Sequence, residues 1–186
     1  MIGLFGGAFD PPHNGHVALL QAAKETLGLD RVLVLVAADP GHKHVETPAA
    51  LRLQLARAAF PDEEVVLDEH PRTVDTLRAH PEWSDPVFLI GADEFAGFLA
   101  WKEPDEVLRL ARVAVAARRG YPRERLEPVL AGLAAPERVL FFELAEPQAS
   151  SALRARWRLE DVPPRVAAIV EREGLYRQAR SYTERT

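Results

Sequence analysis

The chain has 186 residues, 47% of them hydrophobic and 27% charged, with no cysteine and a formal net charge of -5. A chain of this length buries about 70% of the surface its unfolded form exposes, so one domain over residues 1–178 can build a full core without staples, leaving 179–186 as a polar, frayed tail. The missing cysteine excludes disulfides, thiolate zinc sites and a cysteine nucleophile, and the mild acidity argues against broad capture of nucleic acid or of an anionic membrane. An anionic ligand must therefore meet a local cluster of positive groups.

The start MIGLFGGAFD lacks a basic stretch followed by a long apolar one, and Asp10, His13, His16, Lys24 and Glu25 interrupt any early membrane span, which reads as a cytoplasmic protein. Short β-branched runs then alternate with longer segments of helical period. Strands are predicted at Ile2 to Phe5, Arg31 to Ala37, Val65 to Asp68, Val87 to Ile90, Val113 to Ala117 and Val139 to Phe142. Helices are predicted at His16 to Leu27, Pro48 to Phe60, Thr73 to His80, Pro104 to Ala111 and Pro122 to Ala134, with two more at Ser150 to Arg158 and Pro163 to Glu173. The alternation is that of an α/β, doubly wound, Rossmann-like parallel sheet with C-terminal helices, in which ligands bind at the carboxyl ends of the strands.

The most informative stretch leaves the first strand and enters the first helix: Gly6-Gly7-Ala8-Phe9-Asp10-Pro11-Pro12-His13-Asn14-Gly15-His16. Gly6 and Gly7 let the backbone approach a ligand, the N–H groups at the helix start form an anion site, and His13 and His16 both face it. Phosphate suits such a cradle. A dinucleotide fingerprint would need a different glycine spacing and an acidic residue on the second strand, and a Walker loop would need a Gly-Lys-Ser/Thr that does not follow. Asp10, His13 and His16 could instead ligate a divalent metal, although no further ligand is evident, or the histidines could be incidental to a structural turn.

The form GGAFDPPHNGH resembles the HxGH nucleotidyltransferase superfamily, and in particular the bacterial nicotinate-nucleotide adenylyltransferases. Gly41-His42-Lys43 is similar to the family's P-H-K element, Thr73-Val74-Asp75-Thr76-Leu77 to its Y-T-x-x-T-L segment and Ile90-Gly91-Ala92-Asp93 to its I-G-A-D strand end. Trp101 matches the tryptophan that follows, and Pro163 to Tyr176 the closing helix. The family's S-S-T-x-I/L-R signature reads Ala149-Ser150-Ser151-Ala152-Leu153-Arg154 here, and Arg72 stands in place of the usual Tyr before Thr73.

The resemblance implies transfer of AMP from ATP to nicotinate mononucleotide, with Mg2+ accompanying ATP and no dedicated protein metal site. It implies His13, His16, Lys43 and Arg154 as catalytic groups, and Gly6, Gly7, Phe9, Ser150, Ser151 and Asp93 as ATP or phosphate contacts. Arg72, Thr73 and Trp101 would then hold the acceptor.

The residues themselves leave alternatives. Arg156 rivals Arg154; Asp93 could be a helix N-cap rather than a ribose or metal contact; Trp101 could be plain core; His42 and His44 could be local structure; Arg118 and Arg119 could be exposed or touch nucleotide. Small-molecule partners are expected, with no nucleic acid and no membrane, and a homo-oligomer is left open. Competing functions are a related enzyme acting on nicotinamide mononucleotide or another phosphorylated acceptor, a catalytically silent nucleotide-binding module, and a metal-binding regulator.

Overall fold

The computed structural model describes residues 1–41, 45–117, 123–144 and 158–176. Its strands are β1 (Ile2–Gly7), β2 (Arg31–Ala37), β3 (Glu64–Asp68), β4 (Val87–Gly91), β5 (Arg112–Ala117) and β6 (Val139–Glu143). They form a 6-stranded sheet in the order β3-β2-β1-β4-β5-β6, and every paired neighbour is parallel. The helices are α1 (Asn14–Leu27), α2 (Ala49–Ala59), α3 (Thr73–Ala79), α4 (Ala92–Phe95), α5 (Pro104–Leu110), α6 (Glu127–Ala131) and α7 (Pro164–Glu173).

Strand residues alternate between two cores, one on each face of the sheet. Phe5, Val34, Val36, Leu89 and Ala114 point to the side covered by α1, α2 and α7. Leu4, Leu35, Phe88, Ile90 and Val115 point to the side covered by α3, α5 and α6. Burial on both faces is why the strands read as continuous apolar runs rather than alternating ones. Each fully buried Val, Leu or Phe contributes about 1.5–3 kcal/mol of transfer free energy, so the two layers hold the sheet edges where a ligand site needs them.

The chain reverses its winding between β1 and β4, whose paired register covers only Gly3 with Val87 and Leu4 with Phe88. Beyond these pairs the two strand ends run on unpaired to each other, opening the crevice that doubly wound sheets offer to ligands.

Two sequence expectations need correction. The predicted helix Pro122 to Ala134 is a 3-10 turn at Arg123–Arg125 followed by the short α6. Pro128 lacks the N–H that would bond back to Glu124, so it can sit only in the first turn of a new helix. A four-residue helix, α4, follows β4 directly with Gly91 as its N-cap, so Asp93 lies within the first turn and is not the cap itself. Of the tail, Ser150 to Trp157 and residues 177–186 fall outside the described residues; Leu159–Asp161 forms a 3-10 turn that leads into α7. Among the described residues no helix is long and apolar enough to cross a membrane.

Candidate active site at the carboxyl ends of β1 and β4

The loop leaving β1 turns sharply into α1. Phe9 takes a left-handed backbone (φ 49), which tucks its ring under the loop at 2% exposure. There it meets Phe5, Phe60 and His16 edge-on, at centroid distances of 5.5, 5.7 and 5.2 Å. A Cβ on Gly7 would lie 3.0 to 3.2 Å from three carbons of the Phe9 ring, and one on Gly6 would lie 3.0 Å from the Phe88 ring. A side chain at either position would have to push a ring aside, which favours glycine, and both residues line the cavity described below.

His13 is the N-cap of α1, in place of the usual Ser, Thr, Asp or Asn. Its Nδ1 accepts the main-chain N–H of His16 at 3.3 Å, and the Nδ1 of His16 accepts the main-chain N–H of His13 at 3.1 Å. The rings stack with centroids 3.6 Å apart and planes 27° from parallel. An acceptor Nδ1 assigns the neutral ring's proton to Nε2, so each histidine carries its donor at the outer edge of the ring. The helix start adds main-chain N–H groups and the positive end of the dipole.

A cavity of about 1280 Å³ opens here, lined by Gly6, Gly7, Phe9, His13 and His16 on one side and by Arg72, Thr73, Asp93 and Trp101 on the other. Every predicted site residue that is described therefore reaches one cavity. Thr73 opens α3, with Arg72 as its N-cap residue, and the Arg72 guanidinium donates to Pro71 O at 2.7 Å beside Gly41. Trp101 follows the 3-10 turn Phe98–Ala100 and packs against Phe98 and Phe88 at 5.1 and 6.2 Å, with its remaining surface on the cavity. Lys43, Ser150, Ser151 and Arg154, together with His42, His44, Arg118, Arg119 and Arg156, lie outside the described residues.

Sequence reasoning missed a polar layer beneath the loop. Asp10 accepts the main-chain N–H of Glu46 at 2.8 Å and of Thr47 at 3.4 Å, and also the Tyr176 hydroxyl, to which Thr47 Oγ1 donates at 2.8 Å. Burial, reinforced by the Asp10 carboxylate, pushes the Tyr176 phenol well above its ordinary range and keeps it a neutral donor. Arg52 is buried at 1% exposure, and desolvation lowers its pKa against the opposing pull of Asp10 and Tyr176. Its position among Leu55, Ala56 and Ala59 on the buried face of α2 was a readable signal, because a charge on a helix's apolar stripe calls for an explanation. Lys102 also lines the cavity, bonded to Asp75 at 2.9 Å. Asp68 accepts Thr76 Oγ1 at 2.7 Å and meets the His70 ring at 2.9 Å, closing the wall below Arg72.

Residues 4–157 match the cytidylyltransferase-like family. A probable nicotinate-nucleotide adenylyltransferase of Thermus thermophilus is 35% identical over 195 residues, spanning 95% of this chain and 99% of that relative. A similarly named Bordetella petrii protein is 36% identical over 95% of this chain and 98% of its own length. Among solved structures, Plasmodium falciparum nicotinic acid mononucleotide adenylyltransferase complexed with NaAD superposes with a TM-score of 0.75 at 16% identity, covering 95% of this chain and 97% of that one.

Proposed function

Because the chain belongs to the nicotinate-nucleotide adenylyltransferase family, we propose that it transfers AMP from ATP to nicotinate mononucleotide, releasing nicotinate adenine dinucleotide and pyrophosphate. The observation that carries this reading is the mutually capped histidine pair at the start of α1, set in one cavity with Trp101, Arg72 and Thr73. One end of that cavity offers donors to a phosphate chain; the other offers an aromatic wall and a cation to a charged ring.

The acceptor's 5′-phosphate oxygen attacks the α-phosphorus of ATP while the bond to the bridging oxygen of the β-phosphate breaks and pyrophosphate departs. The nucleophile is already an oxyanion, so no protein base or covalent intermediate is required. Catalysis rests on alignment and on meeting the charge that builds on the α-phosphate and the leaving group. His13 and His16 donate Nε2–H to phosphate oxygens, and Gly7 and Phe9 offer main-chain N–H groups. On sequence grounds Lys43, Ser150, Ser151 and Arg154 hold the triphosphate, and Asp93 contacts the nucleotide. Trp101 stacks on the pyridine ring, with Arg72 and Thr73 at its carboxylate.

Among the described residues no cluster of three or more side chains could cage a metal. Magnesium would accompany ATP, held mainly by phosphate oxygens and water, and would lower the charge on the leaving pyrophosphate.

A panel of mononucleotides incubated with ATP and magnesium tests the reading. Nicotinate mononucleotide should yield the dinucleotide and pyrophosphate in equal amounts, and the absence of both products would overturn it. Efficient turnover of nicotinamide mononucleotide alone would favour the amide-specific alternative.

A further inference from the structure

Arg52 sits on the first turn of α2 and does not itself line the cavity. Taking a guanidinium out of water is costly unless its donors are met, and here they are met by main-chain carbonyls. Nε donates to Thr47 O at 3.0 Å, Nη1 to Ala8 O at 2.8 Å and to Ala37 O at 2.7 Å, and Nη2 to Ala38 O at 3.0 Å. Ala8 lies in the glycine-rich loop. Ala37 ends β2 and Ala38 follows it, and Thr47 is where the β2–α2 loop returns to helix. One planar fork therefore binds three segments that meet under the site.

We propose that Arg52 is a positioning residue for adenylyl transfer, whose fork sets the glycine-rich loop against the β2 exit and so places the helix-start donors for the α-phosphate. The proposal rests on the function proposed above. Two features favour this over a role in stability alone. The last β1–β2 pair is Gly7 with Val36, so Ala8 and Ala37 lie just past the ladder that joins these two strands, and the fork supplies geometry between the two loops that this ladder does not. Asp10 ties the same glycine-rich loop to the same β2–α2 loop a second time, through Glu46 and Thr47. Both ties converge beside the turn that carries His13 and His16. Lysine cannot replace the fork, because a single ammonium cannot point planar, divergent N–H groups at four fixed carbonyls.

The test compares Arg52→Lys with the wild-type chain in three measurements: thermal unfolding, steady-state kinetics with magnesium ATP and nicotinate mononucleotide, and amide hydrogen exchange. We expect a folded Arg52→Lys enzyme with kcat lowered about 100-fold, because a displacement near 1 Å of groups around the reacting centre costs about that much, and with KM values changed far less. Exchange should accelerate about tenfold in peptides spanning 6–16 and 37–47 while β5 and α5 keep their protection. Arg52→Met, which keeps the stem but none of the donors, should be slower still wherever it remains folded.

An Arg52→Lys enzyme with wild-type kcat, or one whose activity falls only in proportion to its folded fraction, would overturn the positioning role. Uniformly faster exchange across the sheet would do the same. A wild-type chain that forms no dinucleotide sinks the functional reading separately, and the exchange pattern then still decides whether Arg52 sets the loop.

Discussion

His13 and His16 each accept the other's main-chain N–H at Nδ1, at 3.3 and 3.1 Å, so the side chains that face the cavity are also the ones that cap the helix beneath them. This double use fixes where the rings stand before any substrate arrives. A donor that is already in place needs no reorganisation at the moment of reaction, which is where electrostatic stabilisation gains its strength.

Acceptor choice follows from the opposite wall. A carboxylate on the pyridine ring can pair with Arg72 or with main-chain N–H groups at the start of α3, whereas an amide brings donors toward donors. We expect kcat/KM for nicotinate mononucleotide to exceed that for nicotinamide mononucleotide by about 100-fold or more. Arg72→Ala should erase much of that ratio if the side chain reads the charge, and should spare it if the α3 backbone does. Equal rates on the two nucleotides in the unaltered enzyme would refute the preference.

Gly7→Ala should damage the loop from within. The new methyl meets three carbons of the Phe9 ring at 3.0 to 3.2 Å, and that ring is boxed in by Phe5, Phe60 and His16. Overpacking of this kind costs about 1–3 kcal/mol, and relief can come only by moving the loop or the His16 ring. Urea unfolding should show the loss, accompanied by a fall in kcat. A variant of wild-type stability and turnover would mean that Phe9 yields freely.

Tyr176→Phe removes the hydroxyl that links α7's end to Asp10 and Thr47. Asp10 keeps its two main-chain donors, so the expected cost is about 1 kcal/mol, read as a lower urea midpoint at unchanged slope. An unchanged midpoint would show that the latch does not hold the loop.

The acid limb of stability should carry the signature of the α3–α5 seam. Arg78 forks onto Glu103 at 3.1 and 2.5 Å, and Lys102 holds Asp75 at 2.9 Å. The Arg78 bond holds the Glu103 carboxyl below its ordinary value, the Lys102 bond does the same for Asp75, and Arg109 foremost lowers Glu106. Groups whose folded pKa is depressed add stability that is complete above about pH 4.5 and is lost as the pH falls through the folded values. The melting temperature should therefore drop below about pH 4.5, and Arg78→Met should flatten that drop. These pairs are exposed, so the effect is modest. An identical acid limb in the variant would contradict the assignment.

The order of elements was legible because a parallel sheet buried on both faces writes itself as short β-branched runs between helical periods, as Arg31–Ala37 and Val113–Ala117 show. The cluster at the helix start was legible too, since GGAFDPPHNGH sets glycines and histidines at fixed offsets. At Pro128 the missing N–H divides the helix predicted over Pro122 to Ala134, a break that helical periodicity does not register. What lay hidden was long-range pairing. Asp10 and Tyr176 stand at opposite ends of the chain, and nothing in the local pattern of either names the other. Arg52 announced its burial through helical register, yet its four carbonyl partners belong to loops whose course no periodicity describes.

The most direct measurement of the proposed mechanism is the turnover of His16→Ala against its affinity for ATP. The Nε2–H of His16 should meet the α-phosphate more closely as charge gathers in the transition state than in the ground state. Its loss should lower kcat by about 100-fold or more and leave ATP binding within about threefold, the signature of an interaction made mainly at the barrier. A His16→Ala enzyme with near-normal kcat, or one restored by excess magnesium as a lost metal ligand would be, would show that this histidine is not the catalytic donor.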